Sequence, residues 1–297
     1  GTFQARLGEL IKEAMDLAKV LGLFPGWDNE NGCRGAGGFE LLFKCFGVGQ
    51  GQRSPQGDGC FIQRIPGVTK FKVGSRRAAG FQIVQAAPGY TKREAMRDIN
   101  VSFARNNMRA LRRFEANITL LGGVSSTRTR TATMSVDLEA GTYWALDTMP
   151  RRLDPVKVRT FEVAGESVGG TLAGHVIRAT GEHTWGKVTP RIPTKGQIRF
   201  QNPSEAPHFL QIVKLAKGKT MKDFRAWIEG AKRGEEAPPP VNFNVGVDSG
   251  VVSGDERMSF RYRLPRGRYV MTCWWPMSDM DGMPHAMMGM YRGIRVG

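Results

Sequence analysis

Between Cys273 and Met290 the chain reads CWWPMSDMDGMPHAMMGM. The stretch holds one cysteine, one histidine and six methionines, in a chain with only four cysteines and four histidines. The spacing is Cys-x11-His-x4-Met, and a second histidine, His208, stands upstream in NPSEAPHFLQIV. One thiolate, two imidazole nitrogens and a thioether form a soft to borderline donor set. That set suits copper, because a trigonal His2Cys arrangement with a long, weak axial methionine is the blue-copper type. The expected ligands are therefore His208, Cys273, His285 and Met290, with Met288 the weaker axial candidate. His175 and His183 read as half-exposed strand residues rather than ligands. Plainer readings stand beside each. Cys273 serves as a small buried hydrophobe at a strand end, His208 as a loop cap, His285 as a turn residue after Pro284, and the methionines as flexible packing.

An internal comparison bears on these alternatives. RIPGVTKFKV (64–73) returns as RIPTKGQIRFQN (191–202), and FQIVQAAPGYTKREAMRDI (81–99) returns as LQIVKLAKGKTMKDFRAWI (210–228). Farther on, VDLEAGTYWALD matches YRLPRGRYVMTC, with Gly141 and Tyr143 opposite Gly267 and Tyr269. A repeat of this length reads as two copies of one unit. In the first copy Ala79 stands where the second has His208, and Asp147 stands where it has Cys273. The segment TMPRRLDPVKVRTFEV contains no histidine. The ligand candidates are absent together in one copy and present together in the other, as expected of residues that act as a set.

The elements that must position them read as mainly β. Short strands with alternating apolar residues, such as Ile212 to Leu215 and Met258 to Leu264, are separated by Gly and Pro turns, which is the pattern of a sandwich. One helix is expected in each copy, opened by a capping box at Thr91 with Glu94 and at Thr220 with Asp223. Phe224, Trp227 and Ile228 then form one apolar helix face. ARLGELIKEAMDLAKVLGLF reads as an amphipathic N-terminal helix. The expected division is 1–35 for that helix and loop, 36–165 for a unit without metal ligands, and 166–297 for a unit with the candidate copper site.

Composition narrows the function classes. With 297 residues and 40% hydrophobic content, the chain is long enough for two units with ordinary cores. Cys33, Cys45, Cys60 and Cys273 form no CxxC pair and no disulfide framework. No apolar run is long enough for a membrane helix, and no signal peptide is evident in this chain. The net charge of +16 comes without a nucleic-acid recognition motif, so it reads as a solvated basic surface or a face for an acidic partner. No HExxH and no supported Ser-His-Asp order is present, so a carrier or binding protein is expected rather than an enzyme.

Taken together, QNPSEAPHFLQIVKL, PRGRYVMTCWWP and GMPHAMMGM resemble the cupredoxin superfamily, and in particular bacterial extracytoplasmic cupredoxin-like domains. The resemblance covers Arg178 to Val296, while the first copy matches only in framework. It implies tandem Greek-key sandwiches and, where all four ligands are present, a mononuclear type 1 copper used for one-electron transfer. Carried over, His208 and His285 supply nitrogen, Cys273 the thiolate and Met290 the axial sulfur. It also implies a periplasmic or secreted location and a redox partner protein, or a copper donor or acceptor. The loop of eleven residues between Cys273 and His285 is longer than in small blue-copper proteins. Two other functions fit the same segment. One is Cu(I) handling by the methionine-rich loop, since thioethers favour that ion. The other is a metal-free binding module.

Overall fold

The structure is a computed structural model that describes residues 66–74, 79–126, 131–148 and 158–297. The expected N-terminal helix, and Cys33, Cys45 and Cys60, lie outside the described residues. Short alternating segments become strands, and consecutive strands cross between two sheets as they do in a sandwich. β1 (Gly67–Val73) and β4 (Ala132–Leu138) lie in one sheet. β2 (Ala79–Ala86), β3 (Ile118–Ser126), β5 (Gly141–Asp147) and β6 (Val158–Val163) lie in the other. After β7 (His175–Gly181), β8 (Thr184–Trp185) and β9 (Arg191–Ile192) the same alternation returns. β10 (Lys195–Gln201) and β13 (Arg257–Arg263) join the first sheet. β11 (His208–Leu215), β12 (Val241–Val252), β14 (Gly267–Thr272) and β15 (Tyr291–Val296) join the second. The fold is a mainly β sandwich of two sheets.

The inward residues follow the period of two that a half-buried strand requires. Met134, Val136 and Leu138 on β4 and Met258, Phe260 and Tyr262 on β13 are buried, and so are Ile83 on β2 and Ile212 on β11. Phe71 on β1 meets Phe81 on β2 with ring centroids 5.5 Å apart, which ties the two sheets together. Two tyrosines fix the corners. Tyr143 Oη donates to the Glu139 carbonyl at 3.0 Å and Tyr269 Oη to the Pro265 carbonyl at 2.7 Å, the same contact four residues back in each half.

The strand orders are β1-β4-β13-β10-β7-β8 and β6-β5-β2-β3-β12-β11-β14-β15-β9. The first half therefore meets the second edge to edge in both sheets, through β4 with β13 and β3 with β12. The β3–β12 seam has one registered pair, Val252 with Leu121, and side chains supply further rungs. Buried Gln82 donates from Nε2 to the Val251 carbonyl at 2.9 Å and accepts the Val251 N–H at Oε1, also at 2.9 Å. Ser253 accepts the Leu120 N–H at its hydroxyl at 2.9 Å and donates its own N–H to the Leu120 carbonyl at 2.7 Å.

Both capping boxes form as expected, at Thr91 with Glu94 on α1 (Lys92–Ala104) and at Thr220 with Asp223 on α3 (Met221–Lys232). The expectation of one helix per half needs correction. The first half carries a second helix, α2 (Met108–Asn117), capped by Asn107 and folded onto α1. Its buried residues Met108, Ala110, Leu111 and Phe114 form one stripe that the arginines between them obscure in the sequence. Among the described residues no helix is long and apolar enough to cross a membrane.

Gln82→Leu tests the seam. It keeps the side-chain volume but leaves the Val251 N–H and carbonyl without their partner, which costs about 1–3 kcal/mol. Urea unfolding should show a lower midpoint by that amount. A change below about 0.5 kcal/mol, the range of an ordinary surface substitution, would mean that the seam does not depend on Gln82.

Candidate metal centre

His208 is the first residue of β11, and Cys273 directly follows β14, the strand hydrogen-bonded beside it. His285 and Met290 come from the loop that leads to β15. Adjacent strands place His208 and Cys273 side by side, and the loop has only to fold back to bring His285 over them. The chain before His208 is fixed by Asn202, which is buried and donates to the carbonyls of Ala206 at 2.8 Å and Val252 at 2.9 Å. Ser204 in turn donates to the Asn202 side-chain oxygen at 2.6 Å. Sequence reasoning quoted Asn202 without assigning it a role. An asparagine six residues before a ligand candidate is the one signal the sequence offers.

The long loop is shorter in effect than its sequence suggests. Pro276 and Pro284 form a β-bridge, and Met277 donates to the Met283 carbonyl at 2.9 Å, which pinches residues 277–283 into a closed turn of their own. His285 then donates its N–H to the Trp275 carbonyl at 3.0 Å, two residues from Cys273. A second turn over Pro284 to Gly289 brings the Met290 N–H to the His285 carbonyl at 2.9 Å, and Cys273 N–H donates to the Met290 carbonyl at 3.3 Å.

The excursion is braced by the first half. Trp275 Nε1 donates to the Glu115 carboxylate at 2.7 Å, and its ring meets Phe103 edge-on at 6.0 Å. Arg112 donates to the Ser278 carbonyl, and Asn106 reaches the Asp281 carbonyl at 3.5 Å. Gly282 sits at φ +81° against Met108, where an added Cβ would come within 3.0 Å of its sulfur. A side chain there would meet both backbone strain and a clash.

The result is a compact set of donors. Cys273 Sγ lies 3.6 Å from His208 Nδ1 and 3.4 Å from His285 Nδ1, and the two Nδ1 atoms are 2.9 Å apart. A point equidistant from the three atoms lies about 1.9 Å from each, close to the roughly 2.0–2.3 Å at which imidazole and thiolate hold a borderline ion such as zinc. His208, Cys273 and Met290 are fully buried and His285 is 1% exposed. His208 Nε2 is buried. The residues therefore fit a metal ion: three donor atoms face one point and the pocket excludes water.

Electrostatics fit the same use. Burial lowers both histidines, His208 to about 4, with the Gly181 backbone pulling the other way, and His285 to about 2, helped by the charges of His208 and His183. Both rings are thus neutral at ordinary pH, as a metal ligand must be. Burial pushes the Cys273 thiol up to about 12, against the amides of Phe209 and Trp275. A thiolate here needs a cation beside it.

Of the residues singled out from sequence, His208, Cys273 and His285 come together. Met290 is fully buried and tied to Cys273 and His285 through its backbone, and Met288 is half-buried in the same turn. His175 opens β7, and His183 lies in the turn after it, near enough for its charge to bear on both His208 and His285. In the first half Phe81 pairs with Asp147 across β2 and β5, while in the second the registered pairing of β11 with β14 ends at Gln211 with Thr272, one residue before Cys273.

No protein-family model matches the chain, and no curated protein sequence matches it. Solved structures do resemble it. Reduced auracyanin from the photosynthetic bacterium Roseiflexus castenholzii is 20% identical, over 41% of this chain and 94% of that one, with a TM-score of 0.27. Auracyanin A, a "blue" copper protein from Chloroflexus aurantiacus, is 19% identical over 41% and 97%, with a TM-score of 0.26. The McoA multicopper oxidase from Aquifex aeolicus is 8% identical over 80% of this chain and 57% of that one, with a TM-score of 0.24.

The lowered histidines give a pH test on the metal-free protein. Unfolding returns each ring to about 6.5, so as pH falls the unfolded chain binds protons before the folded one does. Their contribution to stability is whole above about 6.5 and drains as pH falls through about 4 and below. Urea midpoints from pH 7.5 to 4.5 should fall more steeply in the native chain than in a His208→Gln, His285→Gln variant. Parallel slopes would show that the two rings are not held neutral.

Proposed function

We propose that this protein binds a single copper ion through His208, His285 and Cys273, with Met290 as the weak fourth ligand, and that it serves one-electron transfer. The observation that supports this reading is the convergence of two imidazole nitrogens and one thiol sulfur, all buried, drawn from a strand start, a strand end and one loop. Copper held there supplies a one-electron couple. The chain's own part is to fix the donors before the ion arrives and to exclude water. Cys273 gives up its proton to bind, while the two histidines have none to release at neutral pH. Met290 tunes more than it holds, because the axial bond is long.

The division of labour belongs to the same reading. The half from residue 166 onward supplies every ligand, and the half before it braces the ligand loop through Glu115, Arg112 and Asn106. A redox partner and a location outside the cytoplasm are what the family resemblance adds. The alternative of Cu(I) handling through Met277, Met280 and Met283 predicts Cu(I) binding that survives Cys273→Ala and weakens when the three methionines are replaced together. The metal-free binding module is the reading that remains if no copper binds.

Titration with Cu(II) is the test. The loaded protein should show an intense visible charge-transfer band and release about one proton per ion. Cys273→Ala should abolish the band, His208→Ala or His285→Ala should empty or convert the site, and Met290→Leu should keep the metal and shift the potential. Copper bound without the band, or a band that survives Cys273→Ala, would falsify the electron-transfer reading.

A further inference from the structure

A cleft of about 980 Å³ opens beside the metal centre, between the two halves of the sandwich. Its wall contains six carboxylates, Glu115, Glu182, Glu205, Asp255, Glu256 and Asp279, and no lysine or arginine. In a chain of net charge +16 this is a local reversal of sign. Among the described residues none of the six takes part in an ion pair. Glu115 is held above the usual carboxylate range by burial and by Asp279, and Glu256 by burial and by Glu139 and Asp255, with Arg112 and Arg257 offsetting part of this. Negative charge is concentrated there.

A second observation points to what the cleft receives. His285 lines it while being only 1% exposed. Every hydrogen-bond-range contact of its ring runs through Nδ1, toward Cys273 and His208. His208 and Cys273 do not line the cleft, so His285 is the ligand candidate through which the buried centre meets it. The Met277 thioether and Trp275 stand in the same wall.

We propose that this cleft is the way in for the metal ion: its carboxylates gather a divalent cation against the protein's net positive charge and pass it to His285. This rests on the copper reading above. A basic protein as occupant would bring many positive charges against a chain already at +16, whereas an ion brings two. The cleft is concave, and His285 is part of its lining. The ion displaces the Cys273 proton as it settles, and no oxidation or reduction is involved.

The test follows loading of the metal-free full chain, mixed with Cu(II) alone in a non-coordinating buffer, by quenching of tryptophan fluorescence and by growth of the visible band. A triple variant, Glu182→Gln, Glu205→Gln and Asp255→Asn, removes three exposed charges outside the ligand set. Asp255 sits at φ 60°, a conformation that asparagine also accepts. The control, Glu162→Gln, Glu166→Gln and Glu236→Gln, changes net charge equally on exposed positions away from the cleft. The triple variant should load about tenfold or more slowly, the lower end of electrostatic steering, and reach the same final occupancy and spectrum. The control should load at the native rate. Added salt should slow the native protein, because it screens the local attraction. If salt speeds native loading, the net charge governs approach and the proposal fails. Equal rates for the triple variant and the native chain, or equal slowing in the control, overturn it as well. Slowed electron exchange with a basic protein at unchanged loading would assign the cleft to docking instead. If the native chain takes up no copper at all, even at the end of loading, the copper reading fails and this inference falls with it.

Discussion

Two imidazole nitrogens 2.9 Å apart, with a thiol sulfur within 3.6 Å of both, sit where water does not reach. Polar atoms buried in this way are costly unless something satisfies them. Sandwich cores are ordinarily built from apolar side chains, and the buried polar groups elsewhere in these sheets, such as Gln82 and Asn202, are hydrogen-bonded to backbone. Holding these three groups together without a cation works against folding, because their polar atoms leave water for a site that satisfies them only in part. The surrounding structure is organised to impose the arrangement all the same. Asn202 fixes the approach to β11, the Phe209 amide donates to the Cys273 sulfur at 3.4 Å, and the Pro276–Pro284 bridge removes the slack from the loop.

The same constraint gives the first half a purpose. It has Asp147 where the second has Cys273, and so lacks the thiol. Its helices nevertheless reach the ligand loop at Trp275, Ser278 and Asp281. The edge pairing of β3 with β12 and of β4 with β13 joins the brace to the second half, because α2 runs directly into β3. A loop of this length standing alone would lose much of its pre-organisation to chain entropy. Here the tip is tied to a second body of structure.

Much of this was legible in the sequence, for reasons that differ by residue. His208, Cys273 and His285 stood out because the matching stretches earlier in the chain, at Ala79, at Asp147 and after it, lack them. The capping boxes at Thr91 and Thr220 and the tyrosines at 143 and 269 are local devices, and local devices leave local signatures. What stayed hidden was long-range. Nothing in β3 or β12 announces which edge will pair with which. The Glu115–Trp275 hydrogen bond joins residues 160 positions apart, and the pinch at Pro276 and Pro284 looks like two ordinary turn prolines. The second helix, α2, was masked by arginines that alternate with its apolar stripe.

X-ray absorption spectroscopy of the protein after one equivalent of Cu(II) tests the central claim most directly, because it reads the identity of the atoms around the metal. The expected result is two nitrogen neighbours and one sulfur neighbour at short distance, the sulfur being lost in Cys273→Ala. Copper surrounded by oxygen and nitrogen alone, or by several thioether sulfurs that persist in Cys273→Ala, would contradict the account.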